Sequence, residues 1–276
     1  MASLLGKGRA ALRRLFYFFY RHTVQGIVRR MFFTDIVLQT DNFGTVTWMG
    51  HPIWQNVFDL WTMQETIVAT RPELIIESGS FRGGSALFYA HLFDLMGGPG
   101  HVISMDVQQR HEVAHPRITF VEGSSVDDAV LVKVRAAVSR VTGPVMVILD
   151  SDHSASHVRK ELEAYAPFVT PGSFILVQDG VIDVLGMFHG DRPGPLPAIK
   201  GFLAAHPEFE IDAARVERFP ITHHPLGWLR RRSTPPANAT SGAAAASPVA
   251  PSWKGSAGSD PPRGFETGSR SGYGLS

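Results

Sequence analysis

The chain has 276 residues, enough for one α/β core of about 200 residues with an extension at each end. Hydrophobic residues make up 44% and charged residues 18%, values of a globular chain rather than a disordered or membrane-spanning one. The absence of cysteine excludes disulfides, thiolate metal sites and cysteine nucleophiles and fits a reducing, cytoplasmic compartment, while a net charge of +1 argues against general nucleic-acid binding.

Residues 1–34 carry Lys7, Arg9, Arg13, Arg14, Arg21, Arg29 and Arg30 and no acid, interleaved with Leu12, Leu15, Phe16, Phe18 and Phe19. The longest apolar run, 15–20, is far short of the roughly 20 residues of a membrane span, and no signal-type cleavage site follows it. The pattern predicts a basic amphipathic extension. Its aromatic face either packs on the domain or on a second subunit of a homo-oligomer, the commoner use of such periodicity, or lies on an anionic membrane surface as a peripheral contact.

Residues 35–231 alternate strand-like apolar runs with helical stretches. Strands are predicted at 73–78, 101–106, 118–122, 145–150, 173–179, 209–212 and 227–231, and helices at 83–96, 126–141, 155–166 and 195–206. Near-continuous apolar strands separated by helices imply a doubly wound, mainly parallel seven-stranded sheet with helices on both faces. In such sheets ligands bind beyond the carboxyl ends of the strands. The stretch 232–276 is rich in Pro, Ala, Ser, Gly and Thr and without hydrophobic period, so it is expected to be a disordered tail.

The polar residues collect at those strand ends. The first core strand runs into Glu77-Ser78-Gly79-Ser80 and on to Gly83-Gly84, a glycine turn opening a helix. Its Gly-x-x-x-Gly-Gly spacing differs from the dinucleotide fingerprint and favours a ligand without a pyrophosphate; tight packing alone is the other reading. Asp106 ends the second strand, where a carboxylate can accept two ribose hydroxyls or can simply be solvated. Ser124 and Ser125 follow the third, either lining an adenine pocket or, for Ser125 with Asp128, capping the next helix. Asp150, Asp152 and His153 follow the fourth strand and Gln178 and Asp179 the fifth, an oxygen-rich set suited to Mg²⁺ with a histidine placed as general base. The alternative is that Asp152 or Ser154 caps a helix and His153 is exposed. The segment 186–197, mixing Met187, Phe188, His189, Asp191 and Arg192 with glycine and proline, reads as a loop over the substrate side of the sheet.

The segment 48–231 resembles the cephalosporin hydroxylase family, which despite its name has a class I methyltransferase, Rossmann-like fold and includes rhamnosyl O-methyltransferases and enzymes of antibiotic tailoring. The resemblance rests on Trp48-Met49-Gly50, Gln64-Glu65, the run from Pro72 to Gly79 with Gly83-Gly84-Ser85, Gly123-Ser124-Ser125, the run from Ile148 to His153, and the run from Leu162 to Pro167. It implies an S-adenosylmethionine-dependent O-methyltransferase acting on a small-molecule hydroxyl acceptor such as a sugar, glycolipid or natural product. It further implies that Glu77, Gly79, Ser80 and Gly83 line the methionine part of the cofactor, that Asp106 holds its ribose, and that Ser124 and Ser125 lie near adenine. The family's metal ligands map to Asp150, Gln178 and Asp179, with Gln178 replacing an acid, which weakens Mg²⁺. Catechol-type O-methyltransferases, which this placement also resembles, carry their base three positions after the fourth-strand acid, here His153; His153 or Asp150 would then complete the deprotonation. An oxidoreductase and a noncatalytic cofactor-binding protein of the same fold remain as alternatives. A mononuclear iron site would have to draw on Asp152 and His153 with His157 or His189.

Overall fold

In chain order the computed structural model, which describes residues 2–35 and 44–233, opens with helix α1 (Ala2–Phe19), a π-helical turn (Tyr20–Val24) and α2 (Gln25–Phe33). A small hairpin of β1 (Thr47–Trp48) and β2 (His51–Pro52) leads to α3 (Val57–Thr70). Then follow β3 (Leu74–Ser78), α4 (Gly84–Met96), β4 (His101–Asp106), β5 (Ile118–Glu122), α5 (Asp128–Val138), β6 (Val145–Leu149), α6 (Ala155–Tyr165), β7 (Phe174–Val177), α7 (Pro195–Ala205), β8 (Phe209–Ile211), the single-turn α8 (Ala213–Val216) and β9 (Trp228–Arg231). The seven predicted core strands and four predicted helices are all present, displaced at their ends by a few residues at most.

The strand order is β5-β4-β3-β6-β7-β9-β8, parallel except for β9, which runs antiparallel to both neighbours. This is the class I methyltransferase arrangement. Successive side chains of a strand alternate between faces. Leu74, Ile76, Val147 and Leu149 accordingly join the core formed with α5, α6 and α7, while Ile75, Met146 and Ile148 join the one formed with α3 and α4. Both faces being dry explains why these strands read as unbroken apolar runs. The direction of travel reverses between β3 and β6, whose ends meet where Ser78 stands opposite Leu149, and a ligand crevice opens at such a switch point.

Helix α3 was not predicted. Asn56 caps it by accepting the Phe58 N–H at 3.1 Å, and Arg71, in the left-handed region at φ +47, ends it before Pro72. Its buried stripe is Asp59, Thr62, Met63, Thr66 and Ile67, of helical spacing but three-fifths polar.

The N-terminal extension is helical, with a π-turn between its two helices. Its last two aromatic residues pack on the domain: Phe33 is buried edge-on against His223 at 4.7 Å, and Phe32 lies 6.1 Å from Phe58. Packing of the whole aromatic face on the domain is thus not what the structure shows, since Leu12, Leu15, Phe16 and Phe19 are each more than 60% exposed. The tail expected at 232–276 lies, from 234 onward, outside the described residues; Arg232 still donates its N–H to the Glu208 carbonyl at 2.8 Å.

Candidate active site

A cleft of about 790 Å³ opens at the carboxyl ends of β3, β4, β5, β6 and β7. Its first wall is the turn after β3. Gly79 has φ +89, and a Cβ there would stand 1.9 Å from the Asp150 carbonyl oxygen, so no other residue lets the turn pass the end of β6. Gly79 and Ser80 donate their N–H groups to the Met105 carbonyl at 2.7 and 3.2 Å. The Phe81 and Gln108 N–H groups donate to the two Asp106 oxygens at 2.9 and 3.2 Å. Two backbone donors thereby fix the Asp106 carboxylate in the cleft wall and leave lone pairs for further donors.

Two residues expected in this wall lie elsewhere. Glu77 is fully buried beneath the floor, where Ser104 donates to its carboxylate and Ser80 lies 2.7 Å from Ser104. Burial pushes the Glu77 carboxyl up to about 7. Gly83 sits at the start of α4 with φ +84, and a Cβ there would meet Val113 at 2.5 Å, so its role is tight packing.

On the opposite side the loop after β5 carries Ser124 and Ser125, both in the cleft lining. Ser125 does not cap α5. That helix starts three residues later, with Asp127 at its N-cap position, and the Ser125 hydroxyl faces His157 Nε2 at 3.1 Å. The Tyr165 hydroxyl donates to the Ser125 carbonyl at 2.6 Å and holds the loop in this position. His157 is raised above its usual value by hydrogen bonding to Glu161, which is buried and also accepts from Ser151 at 2.7 Å. Ser154 caps α6 through the His157 N–H, as the capping alternative held, and Asp152 accepts the Ser154 N–H at 2.7 Å while its residue lines the cleft.

At the junction of β6 and β7, Asp150, His153 and Asp179 come together with one ligand atom from each within 4.8 Å of the others. His153 Nε2 is 3.2 Å from Asp179 Oδ2, and Gln55 donates to Asp150 Oδ2 at 2.8 Å. Asp150 keeps some contact with the cleft, yet its surroundings are close enough that burial, then the charge of Asp179, then that of Glu77, hold its carboxyl well above the usual range. Gln178, expected as the third ligand, is buried and does not line the cleft, and its Nε2 has no partner. By strand alternation it shares the face of Phe174 and Leu176, which packs against α3 and α4, and His153 takes the third place beside the two acids. The set is one histidine and two acids; among the described residues no two histidines and a carboxylate bring one ligand atom each within 4.8 Å of one another.

Asp179 adopts φ +55, a left-handed conformation that aspartate tolerates, and its N–H donates to His224 Nδ1 at 3.1 Å. His224 is buried, which lowers its pKa, and its Nε2 points to Asp59 Oδ2 at 3.7 Å. Burial alone would raise Asp59, but His224 and His223 together bring it below the usual value. Thr222 and the His223 N–H donate to Asp59 at 2.5 and 2.8 Å. This brace behind Asp179 had no signal in the sequence, and neither had Gln55 or Trp54, which is half-exposed in the cleft with its ring tilted against that of Phe81, centroids 5.0 Å apart. The segment 186–197 does not form a wall of the cleft with any of its described side chains; Met187 and Phe188 pack beside Phe33 instead.

Residues 41–232 match the family Rhamnosyl O-methyltransferase/CmcI. Rhamnosyl O-methyltransferases of Mycobacterium tuberculosis and Mycobacterium leprae are 34% and 33% identical to the chain over 192 and 194 residues, spanning 67% and 69% of it and 78% and 85% of those proteins. Among solved structures, CmcI in its N160 apo form superimposes with a TM-score of 0.57 at 20% identity over 71% of this chain and 80% of that one. CmcI-D160 with Mg and S-adenosylmethionine gives 0.55 at 19% over 70% and 79%, a likeness of fold. With the strand order, the cleft at the switch point and the match over 41–232 in agreement, the chain belongs to the Rhamnosyl O-methyltransferase/CmcI family and is an S-adenosylmethionine-dependent O-methyltransferase.

Proposed function

We propose that the cleft holds S-adenosylmethionine along Gly79, Ser80, Asp106, Ser124 and Ser125 and methylates a hydroxyl of a rhamnosyl-type sugar on a small-molecule acceptor. The observation that carries this reading is the convergence of Asp150, His153 and Asp179 in the same cleft as the backbone-fixed Asp106 carboxylate. The names of the mycobacterial relatives support the sugar, and half-exposed Trp54 offers a flat apolar surface for a sugar ring in the cleft.

S-adenosylmethionine supplies a methyl group already activated on a sulfonium. The chain's part is to align the acceptor oxygen with it, exclude water and take the hydroxyl proton. Asp106 accepts the two ribose hydroxyls, and His153 Nε2 receives the proton. The experiment is transfer of tritium-labelled methyl to rhamnosides and to their deoxygenated analogues. Label bound to oxygen of the rhamnoside and absent from the analogues is expected; equal labelling of both, or of neither, overturns the acceptor class.

Replacing Asp106 by alanine removes charge-assisted hydrogen bonds and should weaken S-adenosylmethionine binding by roughly ten- to a hundredfold. Calorimetry on the folded variant checks this, and unchanged affinity would remove Asp106 from the site.

The donor set fits a divalent cation. Burial and then the charge of Asp179 disfavour the ionised form of Asp150, a cost that a cation between the two acids relieves. Asp150 and Asp179 would hold Mg²⁺ as oxygen donors, leaving Nε2 of His153 for the proton, and the cation would acidify a bound hydroxyl. With two acids rather than three, binding should be weak, in the range of about a millimolar dissociation constant. Millimolar Mg²⁺ or Mn²⁺ should therefore raise the melting temperature of the wild type but not of Asp179→Asn, and more so at pH 8 than at pH 6. A shift that persists in the variant would place the cation elsewhere.

A further inference from the structure

The N-terminal extension presents an apolar stripe that the domain does not cover. Leu12, Leu15, Phe16 and Phe19 follow the i, i+3, i+4, i+7 spacing of one helix face, and Val24, the last residue of the π-turn, repeats it with Ile27, Val28 and Met31 of α2; all eight are exposed. In an unbroken α-helix Val24 would lie about 140° round from Phe19. The π-turn closes that gap. The Gln25 N–H donates to the Tyr20 carbonyl, five residues back, and the backbone stays helical through Phe19, Val24 and Gln25. The wider turn takes up one extra residue, so the two runs form one stripe about 30 Å long.

In sequence the segment carries Lys7, Arg9, Arg13, Arg14, Arg21, Arg29 and Arg30, with no acid before Asp35. Arg9, Arg13, Arg14 and Arg30 are exposed. Docking the stripe on that of a second copy would bring two acid-free basic segments together, whereas an anionic bilayer supplies both the apolar layer and the opposite charge. No described helix is long and apolar enough to cross a membrane. The root of the segment is fixed to the domain: Arg29 Nε donates to the Pro220 carbonyl at 3.0 Å, and Phe33 abuts His223, the neighbour of the His224 that braces Asp179. Residues 2–34 also precede the family match, which begins at 41.

We propose that α1, the π-turn and α2 form an in-plane anchor that docks this methyltransferase on anionic lipid bilayers through the stripe from Leu12 to Met31. The inference is independent of the acceptor and of the metal.

Flotation of the full chain with vesicles of phosphatidylcholine containing about one-third phosphatidylglycerol tests it, beside pure phosphatidylcholine, at low salt and at about 0.5 M salt. Flotation is expected with the anionic vesicles at low salt and should fall sharply in high salt or without the anionic lipid. F16S/F19S and R13E/R14E should each lower the partition coefficient by about tenfold or more, with melting temperature and S-adenosylhomocysteine affinity unchanged. A chain that stays at the bottom with anionic vesicles, or variants that float like the wild type, overturns the proposal. So does a solution dimer that F16S/F19S converts to monomer, which would make the stripe an interface between copies.

Discussion

Replacement of His153 by alanine should lower kcat on the order of 10²- to 10⁴-fold while the affinity for S-adenosylmethionine stays close to wild type. The expectation comes from position. His153 follows β6 by four residues, its Nε2 is 3.2 Å from Asp179, and its residue lines the cleft together with Asp150 and Asp179. Asp150, the other candidate to receive the proton, is held well above the usual carboxylate range by burial and by the charges of Asp179 and Glu77, and one of its oxygens already accepts from Gln55. Single-turnover rates with saturating S-adenosylmethionine measure the effect on the chemical step alone. A kcat within threefold or so of wild type would remove His153 from the proton transfer and leave alignment of the two substrates as the source of catalysis. Loss of cofactor affinity equal to the loss of rate would make His153 part of the cofactor wall.

The second large effect is on stability. Glu77→Gln should gain on the wild type by about 3 kcal/mol between pH 4 and pH 8, the free energy of a shift from 4.5 to about 7. Glu77 is fully buried and Ser104 donates to it, a bond that a glutamine oxygen can also accept. A carboxyl whose folded value is raised contributes stability that is fully present below its unfolded value of about 4.5 and is lost as pH rises through about 7. Glutamine has no proton to lose. Urea unfolding of both proteins at the two pH values isolates this group, because the other titrations cancel in the difference. Parallel stability curves would show that Glu77 is ionised throughout and compensated by a donor.

The core of the fold could be read in the sequence because dry faces on both sides leave β6 and β7 wholly apolar, with β3 and β4 interrupted mainly toward their carboxyl ends, at Glu77, Ser78, Ser104 and Asp106. Helix α3 escaped for the opposite reason. Thr62 and Thr66 satisfy their hydroxyls on carbonyls one turn back, and Asp59 is satisfied by Thr222 and His223 from more than 160 residues away, so a buried stripe could be polar. The site was readable where a strand ends in it, as at Asp106, Asp150 and Asp179. It was unreadable where tertiary contact decides: Gln55 meets Asp150 across 95 residues, and the Ser125 hydroxyl is turned to His157 while Tyr165 holds its carbonyl, against a local pattern that favoured a helix cap. Gln178 and Asp179 are adjacent in sequence, but strand alternation sends the first into the core and leaves the second in the cleft.

Titration of the full chain with S-adenosylhomocysteine, the product that lacks the transferred methyl group, tests most directly the claim that this cleft is a methyltransferase site. One saturable site per chain is expected, displaced by S-adenosylmethionine, retained in His153→Ala and weakened in Asp106→Ala. Absence of saturable binding, or binding indifferent to Asp106, would contradict it.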